Sequence, residues 1–227
     1  IGSGYTGLNA AIVTARAGRS TQVIDQHMPG WGCSTRNGGQ ISSSIKPTLA
    51  ALTRKYGANQ AMAIRNEGYK SLDWIDHFIN TEQIDCHYKK CGRFHAAHTP
   101  KHFDALVHDT QKLGEEEGVE FRIVPQNEQH KELGTDSYFG GVMLTDNASL
   151  DPAKYYSGLL SKAKLAGAEI TGDCPAQDIR KDCGVYIITT PKGEIRAKNI
   201  IIATNGYTTN LVPWVQRRVI PIGTYMI

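Results

Sequence analysis

The apolar positions at the start of the chain follow a helical spacing and then an extended one. One helix face would carry the side chains of Leu8, Ala11, Ile12 and Ala15. Gly18 is a suitable residue to end that helix. Residues 21–24 are rich in β-branched side chains and stop at Asp25, which predicts a short strand. The opening of the chain therefore predicts a helix followed by a strand.

The middle of the chain predicts helices mixed with strands. Helical spacing covers residues 47–80, in two helices, and returns over residues 101–117. Strand-like spacing is found in residues 84–97, with an interruption at Gly92, and in residues 119–124 and 138–144. In the first two helices, the candidates for the apolar core are Leu49, Leu52, Tyr56, Met62, Ile64, Leu72, Trp74, Ile75 and Phe78.

The last third of the chain predicts one helix and several strands. Asp151 and Pro152 have the form of a helix start, with a capping residue followed by proline at the first helical position. The helix would run to residue 165 or 166 and stop at Gly167. Three short strands are predicted after it, at 168–171, 184–189 and 194–197, and a hairpin turn joins the last two.

Residues 199–203 form the most apolar run of the chain. Such a run suits a central parallel strand that is covered on both faces. The run ends in Thr204, Asn205 and Gly206, where the chain must turn near the carboxyl ends of the strands. Folds of this kind bind their ligands at that edge of the sheet.

Length, composition and charge narrow the classes of partner. A chain of 227 residues can hold one large domain or two small ones. The chain has no run of about 20 apolar residues, so no membrane span is predicted. A net charge of +3, with scattered Lys and Arg residues, does not indicate a nucleic acid as partner.

The cysteines and histidines predict neither disulfides nor a metal site. The five cysteines are odd in number and match no zinc or C-x-x-C spacing, which favours a reduced, cytoplasmic protein. Cys33 lies in a glycine-rich loop, where a passive side chain is favoured over a reactive one because no cationic partner is assured. His98 and His102 are spaced for a shared metal on one helix, but surface positions are the simpler interpretation.

Three glycines give the first chemical signal. Gly2, Gly4 and Gly7 form the pattern G-x-G-x-x-G, which allows a tight turn, a close approach of a pyrophosphate, and close packing of the following helix. The phosphates would lie at the helix N-terminus, and Asp25 could accept both hydroxyls of an adenosine ribose. A glycine-rich turn in an unrelated α/β protein is the alternative. Because only Ile1 precedes the pattern, we expect the chain to begin a few residues inside the natural protein.

Four stretches together resemble the D-amino-acid-oxidase-type FAD-dependent oxidoreductases. They are GSGYTG, GWGCSTRNGGQ, LDPAKYYSGLLSKAKLAGAEI leading to CPAQDI, and AKNIIIATNGYT, and they occur in the family's order. Within the family, the stretch STRNGGQ is similar to bacterial gamma-glutamylputrescine oxidases and related amine oxidoreductases.

The resemblance implies an α/β fold with two parts. A doubly wound, Rossmann-like FAD-binding domain would be formed by residues 1–81 and 149–227. An antiparallel α+β substrate domain would be inserted between them and drawn from residues 82–148. Family members are longer, so the resemblance also implies that the chain is truncated at both ends. The residues that orient the substrate would lie in the missing part, and no catalytic residue can be named.

The resemblance assigns the FAD cofactor to several short segments. The pyrophosphate would be held by Gly2, Gly4, Tyr5, Thr6 and Gly7, and the adenosine ribose by Asp25 with Gln26. The pyrophosphate and the flavin would be lined by Ser34, Thr35, Arg36, Asn37, Gly38, Gly39 and Gln40. The adenine edge would pair with the backbone of Ala176, and the pyrophosphate and adenine would pack near Ala203, Thr204, Asn205 and Gly206.

The implied activity is oxidation of the C–N bond of an amine or amino acid. A hydride would move from the carbon next to the nitrogen to the flavin, and water would hydrolyse the resulting imine. The partners would be the small-molecule substrate and either oxygen or another electron acceptor. The protein's own part would be to bind FAD, exclude water and align the C–H bond.

Several alternatives remain at this point. Another FAD- or NAD-dependent oxidoreductase could use the same turn, although the lack of a C-x-x-C pair argues against a disulfide reductase. A non-catalytic or incomplete nucleotide-binding fragment is the second alternative. At single positions, Arg36 could lie on the surface, residues 38–39 could be a hinge, and residues 204–206 could be a simple turn. Tyr207 and Trp214 could be core aromatics rather than neighbours of the cofactor.

Overall fold

The structure is a computed structural model, and it describes residues 1–223. The helices are α1 (Tyr5–Arg16), α2 (Leu49–Tyr56), α3 (Ala58–Glu82), α4 (Pro100–Glu117), α5 (His130–Leu133), α6 (Pro152–Leu165) and α7 (Pro213–Gln216). The strands are β1 (Gln22–Ile24), β2 (Gln40–Ser42), β3 (Arg93–Ala96), β4 (Phe121–Val124), β5 (Gly141–Leu144), β6 (Asn147–Ser149), β7 (Glu169–Thr171), β8 (Asp178–Asp182), β9 (Val185–Thr190) and β10 (Gly193–Ala197).

The residue contacts divide the described chain into two compact units. The first unit contains residues 1–38, 84–86 and 151–223, and the second contains residues 39–83 and 87–150. Residues 39–81, which the sequence assigns to the FAD-binding domain, therefore group by contact with the second unit. Residues 224–227 of the predicted domain lie outside the described residues. Which unit binds cofactor and which binds substrate stays a prediction.

Two helices and a parallel strand pair form the centre of the first unit. Helix α1 packs against helix α6, and Leu8, Ile12 and Leu159 are fully buried. Strand β1 pairs in parallel with β7. The predicted helix at the start of the chain and the strand after it are confirmed, and α6 starts and ends as its capping residues predict. Glycine at position 7 and alanine at position 11 also lie on the buried face of α1.

The first two residues lie between two stretches of backbone, and each residue bonds to one of them. The Ile1 amino group donates to the carbonyl of Ile201 at 2.7 Å, and the Ala203 amide donates to the Ile1 carbonyl at 2.8 Å. On the other side, the Gly2 amide donates to the Ile24 carbonyl at 2.8 Å. The bonds to Ile201 and Ala203 follow the pattern of a parallel pair, so residues 201–203 run alongside the first turn.

The prediction of a covered central strand at residues 199–203 is wrong for the described structure. Residues 1–223 contain no strand there, and Ile201 is 48 % exposed. A ladder needs several successive pairs, whereas among residues 1–223 only Ile1 supplies backbone partners to this segment. No described residue covers the outer side of Ile201 well enough to bury it.

An antiparallel three-stranded sheet completes the first unit. Strands β8, β9 and β10 pair in the order β10-β9-β8, and the predicted hairpin between β9 and β10 is confirmed. Ile188 of β9 packs with Ile24 and Cys174 in a buried cluster. The sequence prediction missed β8, because its residues are mostly polar and exposed and show no apolar alternation. Pairing with β9, rather than burial, accounts for its extended conformation.

The second unit is an antiparallel α+β structure. Strands β3, β5 and β4 form an antiparallel sheet, and helix α4 packs against β4 and β5. Strands β2 and β6 form a separate antiparallel pair. Helices α2 and α3 pack against each other.

Part of the predicted core of helices α2 and α3 is wrong. Leu52 is buried as predicted, but Tyr56, Met62 and Trp74 are 49 %, 42 % and 49 % exposed. Helix α3 instead buries Ala61, Arg65, Gly68 and Ile79, of which Ala61 and Gly68 are small. A Cβ at position 68 would overlap the carbonyl oxygen of Ser43, so the helix approaches its neighbour too closely for large side chains.

In residues 1–223, no helix is both long and apolar enough to cross a membrane.

The cap of helix α6 gives a test of the local folding argument. The Asp151 carboxylate accepts hydrogen bonds from the Ala153 and Lys154 amides at 2.9 and 3.0 Å. We expect Asp151→Ala to lower the free energy of unfolding by about 1 kcal/mol, because the orphan amides lose their acceptor. Asp151→Asn keeps an acceptor oxygen and should retain most of that stability. Urea unfolding of the three proteins checks this, and an equal loss in both variants would contradict the capping role.

Candidate functional site

A cavity of about 490 Å³ lies within the first unit. This volume is in the range of small-molecule sites. Its walls come from the first turn, the loop after β1, and the segment that follows Ala203. Tyr156 of α6 and Ala176 complete the lining from two further segments.

The N-terminus of helix α1 opens into this cavity. Gly4 precedes the helix and, as the N-cap residue, has no side chain that could cap it. The Tyr5 amide donates a long hydrogen bond of 3.3 Å to Ser34 Oγ. The first-turn amides and the helix dipole favour a negatively charged group at this position.

Two glycines at this turn are fixed by close backbone contacts. Gly2 has φ of +100°, and a Cβ on it would lie 2.5 Å from the carbonyl oxygen of Ala203. A Cβ on Gly7 would overlap the carbonyl oxygen of Gly2. The turn therefore excludes side chains at both positions for steric reasons, as the glycine pattern predicts.

Hydrogen bonds join the second glycine-rich loop to the first turn. Asn37 Nδ2 donates to the Tyr5 hydroxyl at 3.3 Å and to the carbonyls of Cys33 and Ser34 at 3.1 and 3.3 Å. The Tyr5 hydroxyl donates to the Pro152 carbonyl at 3.3 Å. Burial raises the pKa of Tyr5, so its hydroxyl keeps the proton that it donates. The two loops thus lie side by side around one cavity.

The Asp25 carboxylate lies in the cavity wall and is held by its neighbours. Its Oδ2 accepts hydrogen bonds from the Ser3 amide at 2.7 Å and from Ser3 Oγ at 2.6 Å. Its Oδ1 accepts from the His27 amide at 3.2 Å. The Tyr156 hydroxyl donates to Ser3 Oγ at 3.4 Å, and burial raises the pKa of Tyr156. A similar burial raises the pKa of the adjacent Tyr155 to about 12.

Aromatic rings form another part of the wall. The rings of His27 and Trp31 are 4.1 Å apart, and those of Trp31 and Tyr207 are 6.0 Å apart. Tyr207 is 51 % exposed and Trp214 is 62 % exposed, so neither is a core residue of the described structure. Tyr207 lines the cavity, whereas Trp214 lies outside it. The Arg36 guanidinium lies 5.4 Å from the centre of the Trp31 ring and donates to the Trp31 carbonyl.

The structure brings most of the predicted cofactor residues together. The cavity is lined by Gly2, Gly4, Tyr5, Thr6, Asp25, Gln26, Ser34, Asn37, Ala176, Ala203, Thr204 and Asn205. The other predicted residues of the first unit are not in its lining; they are Gly7, Thr35, Arg36, Gly38 and Gly206. Gly39 and Gln40 belong to the second unit. The Thr35 hydroxyl donates to the Gly30 carbonyl at 2.6 Å, so this side chain supports the loop from inside.

Other lining residues were not predicted from the sequence. They are Ile1, Ser3, His27, Gly30, Trp31, Gly32, Cys33, Tyr156, Tyr207, Thr208, Thr209, Leu211, Val212 and Ile222. The position of Ser3 between two motif glycines was a usable signal. The sequence around Tyr156 contains no such signal, because the place of Tyr156 in the cavity depends on how α6 packs against α1.

The cysteines and histidines form no metal-binding group in residues 1–223. No disulfide joins any of the five cysteines, all of which lie in residues 1–223, and Cys33 is exposed in the cavity wall. The rings of His98 and His102 stack with centres 5.5 Å apart, and the His98 amide donates to His102 Nδ1 at 3.2 Å.

The family model of the DAO-type FAD dependent oxidoreductases matches residues 1–227. The chain belongs to this family. Its cofactor is therefore FAD, and the described site fits that cofactor on three counts. The turn at Gly2 and Gly7 leaves no room for side chains, the N-cap residue Gly4 brings no side chain to the N-terminus of α1, and Asp25 places a carboxylate in the same wall.

Two curated relatives match the whole chain at low identity. The chain is 27 % identical to the gamma-glutamylputrescine oxidoreductase of Escherichia coli and covers 53 % of it. It is 30 % identical to a probable oxidoreductase OrdL of Rhizobium meliloti and covers 53 % of that protein. The chain thus spans about half the length of the curated relatives it matches.

Solved structures of a glycine oxidase and of an L-amino acid deaminase share the fold. Glycine oxidase from Geobacillus kaustophilus superposes with a TM-score of 0.79 at 16 % identity, over 94 % of this chain and 56 % of that one. The L-amino acid deaminase from Proteus vulgaris superposes with a TM-score of 0.69 at 20 % identity, over 89 % of this chain and 45 % of that one. The predicted α/β FAD-binding fold is therefore confirmed.

The close contact between Gly7 and Gly2 gives a test in which the sign of the change in the free energy of unfolding decides the outcome. Glycine to alanine inside a helix ordinarily stabilises by about 1 kcal/mol. We expect Gly7→Ala to destabilise by about 2 kcal/mol instead, because the new Cβ overlaps the Gly2 carbonyl oxygen.

Gly4→Ala is the matched control in the same turn. Gly4 has φ of −69°, and its Cβ would meet only Ser34 Oγ, at 3.1 Å. We expect Gly4→Ala to lower the free energy of unfolding by at most about 1 kcal/mol, which is the effect of losing a favourable N-cap residue. Chemical unfolding measures both, and a stabilised Gly7→Ala protein would contradict the described turn.

Proposed function

We propose that the cavity of the first unit binds the ADP portion of FAD and that the whole protein oxidises the C–N bond of an amine or amino acid. One observation carries the proposal for binding. The N-terminus of α1, the Asp25 carboxylate, and Cys33, Ser34 and Asn37 of the second glycine-rich loop all line the same cavity. The family model supports FAD as the nucleotide.

The proposed binding follows from the groups that line the cavity. The Thr6 amide would donate to the pyrophosphate, and the Tyr5 amide would exchange its long bond to Ser34 Oγ for one to the pyrophosphate. The helix dipole also favours anions at this position. Asp25 would accept from the adenosine ribose, and the backbone of Ala176 would pair with the adenine edge. Cofactor roles for Thr35, Arg36 and residues 38–40 stay predictions, because these residues are not in the lining of the cavity.

The proposed chemistry is an oxidation of a carbon–nitrogen bond. FAD supplies, when bound, the acceptor for a hydride from the carbon next to the substrate nitrogen. The residues of this chain would bind and orient the cofactor through the contacts above and keep water from the pyrophosphate. The names of the relatives support this class of substrate, since they include an oxidoreductase of gamma-glutamylputrescine and oxidases or deaminases of amino acids.

Flavin reduction by candidate substrates tests the proposal directly. The purified chain is mixed with FAD, freed of unbound flavin, and examined for the visible flavin absorption. Gamma-glutamylputrescine, putrescine, glycine and other amino acids are then added without oxygen. Loss of the visible absorption with one of them supports the oxidoreductase, and admitting air should restore it with release of hydrogen peroxide or require an added electron acceptor.

The outcomes of this experiment separate the alternatives. Bound FAD that no amine or amino acid reduces would identify a nucleotide-binding chain without this activity. Reduction by a hydroxy acid or by NADH alone would identify another oxidoreductase of the same fold. Failure to bind FAD would overturn the proposal.

Asn37 gives a test of the joined loops. Asn37→Ala removes the side chain that donates to the Tyr5 hydroxyl and to two carbonyls of its own loop. We expect the FAD dissociation constant to rise about tenfold, which corresponds to about 1.4 kcal/mol. Quenching of flavin fluorescence during titration measures the constant.

Asn66→Ala is the control for this change. Asn66 is an exposed residue of helix α3 in the second unit, so its removal should leave FAD affinity unchanged. Equal affinities of Asn37→Ala and the wild type would show that the two loops hold FAD without this side chain.

A further inference from the structure

The Asp25 carboxylate has fewer acceptor positions open to a ligand than an isolated carboxylate has, because its neighbours already donate to it. A carboxylate offers about four lone-pair positions, two on each oxygen. Oδ2 accepts from both the amide and the hydroxyl of Ser3, at 2.7 and 2.6 Å. Oδ1 accepts from the His27 amide at 3.2 Å. With respect to donors in residues 1–223, one position remains, and it is on Oδ1.

Ser3 is placed to keep Oδ2 occupied. Its side chain is nearly inaccessible, with 2 % of the residue exposed, so water does not compete for the hydroxyl. The hydroxyl carries one hydrogen, which is directed to Asp25 at a short O–O distance. The Tyr156 hydroxyl donates to the same Ser3 oxygen at 3.4 Å and thereby disfavours rotation of the Ser3 hydrogen toward it.

We propose that Asp25 binds one hydroxyl of the adenosine ribose through Oδ1, rather than both hydroxyls, and that Ser3 enforces this choice. The inference rests on the proposed function, because it needs the ribose to lie in this cavity. Asp25 is the residue that touches the ligand in this scheme. Ser3 is a positioning residue that acts through Asp25, and Tyr156 acts through Ser3.

Deoxynucleotides report the number of ribose hydroxyls that the protein binds. A hydrogen bond to a charged group is worth more than one between neutral groups, so its loss should raise the dissociation constant about tenfold. We expect one of 2′-deoxy-ADP and 3′-deoxy-ADP to bind the wild-type chain about tenfold more weakly than ADP. The other should bind within about twofold of ADP, because its missing hydroxyl has no acceptor on Asp25.

Two variants test the role of the positioning residues. Ser3→Ala removes one donor from Oδ2 and opens a second acceptor position. We expect the penalties of the two deoxynucleotides to become equal within about twofold in this variant. Tyr156→Phe leaves the bond between Ser3 and Asp25 in place but frees the Ser3 hydroxyl to rotate. In this variant, the difference between the dissociation constants of the two deoxynucleotides should therefore be smaller than in the wild type and larger than in Ser3→Ala.

Tyr155→Phe is the matched control. Tyr155 precedes Tyr156 in helix α6, is as deeply buried at 3 % exposure, and lies outside the cavity lining. The Tyr155→Phe protein should keep the full wild-type difference between the dissociation constants of the two deoxynucleotides. A merely structural effect of losing a buried tyrosine hydroxyl would appear in both variants, whereas an effect through Ser3 appears only in Tyr156→Phe.

Isothermal calorimetry with ADP, 2′-deoxy-ADP and 3′-deoxy-ADP measures these constants on the purified chain, and thermal unfolding without nucleotide checks that each variant folds. Equal penalties in the wild type, or no penalty for either analogue, would overturn the inference. An unchanged difference between the two deoxynucleotides in Ser3→Ala would overturn the role of Ser3, and if that variant does not fold, Tyr156→Phe decides.

If the wild type binds FAD but shows equal penalties, this inference fails and the proposed function stands. If it binds neither FAD nor ADP, both fail.

Discussion

A close backbone approach at the first turn is the constraint on which the site depends. The Gly2 carbonyl lies against Gly7, and the Gly2 Cα lies against the Ala203 carbonyl. These contacts bring the start of α1, the end of β1 and the segment after residue 200 to one edge of the first unit. Because no side chain fits between them, the amides of the helix N-terminus remain accessible from the cavity. A wider turn would separate the same residues and leave no common cavity.

The sequence predicts the helix and turn chemistry of the first unit well, because that chemistry is local. The helical spacing of α1, the Asp151 cap of α6 and the hairpin before β10 each depend on residues within a few positions of one another. The glycine pattern likewise identifies a turn whose steric limits are visible in the structure. Features of this kind need no knowledge of distant packing, and they are the ones confirmed.

The features that the sequence did not predict depend on distant partners. Strand β8 is polar and is extended because β9 pairs with it. Trp74 is apolar and exposed because α3 uses a stripe containing Gly68 to approach its neighbour. In the site, the motif identified Asp25 but not Ser3 and Tyr156, which determine the acceptor positions that Asp25 has left. Periodicity describes which side chains are apolar, and it does not describe how closely two backbones meet.

Trp31 gives the cavity an optical property of its own. The residue is 47 % exposed and lines the cavity, and its indole packs beside the rings of His27 and Tyr207. A molecule that fills the cavity replaces water at this indole. An aromatic ring of that molecule close to the indole can also quench the indole fluorescence. The intrinsic emission of the protein should therefore shift in wavelength or dim as the cavity is occupied. Occupancy can then be followed for colourless nucleotides as readily as for coloured ones.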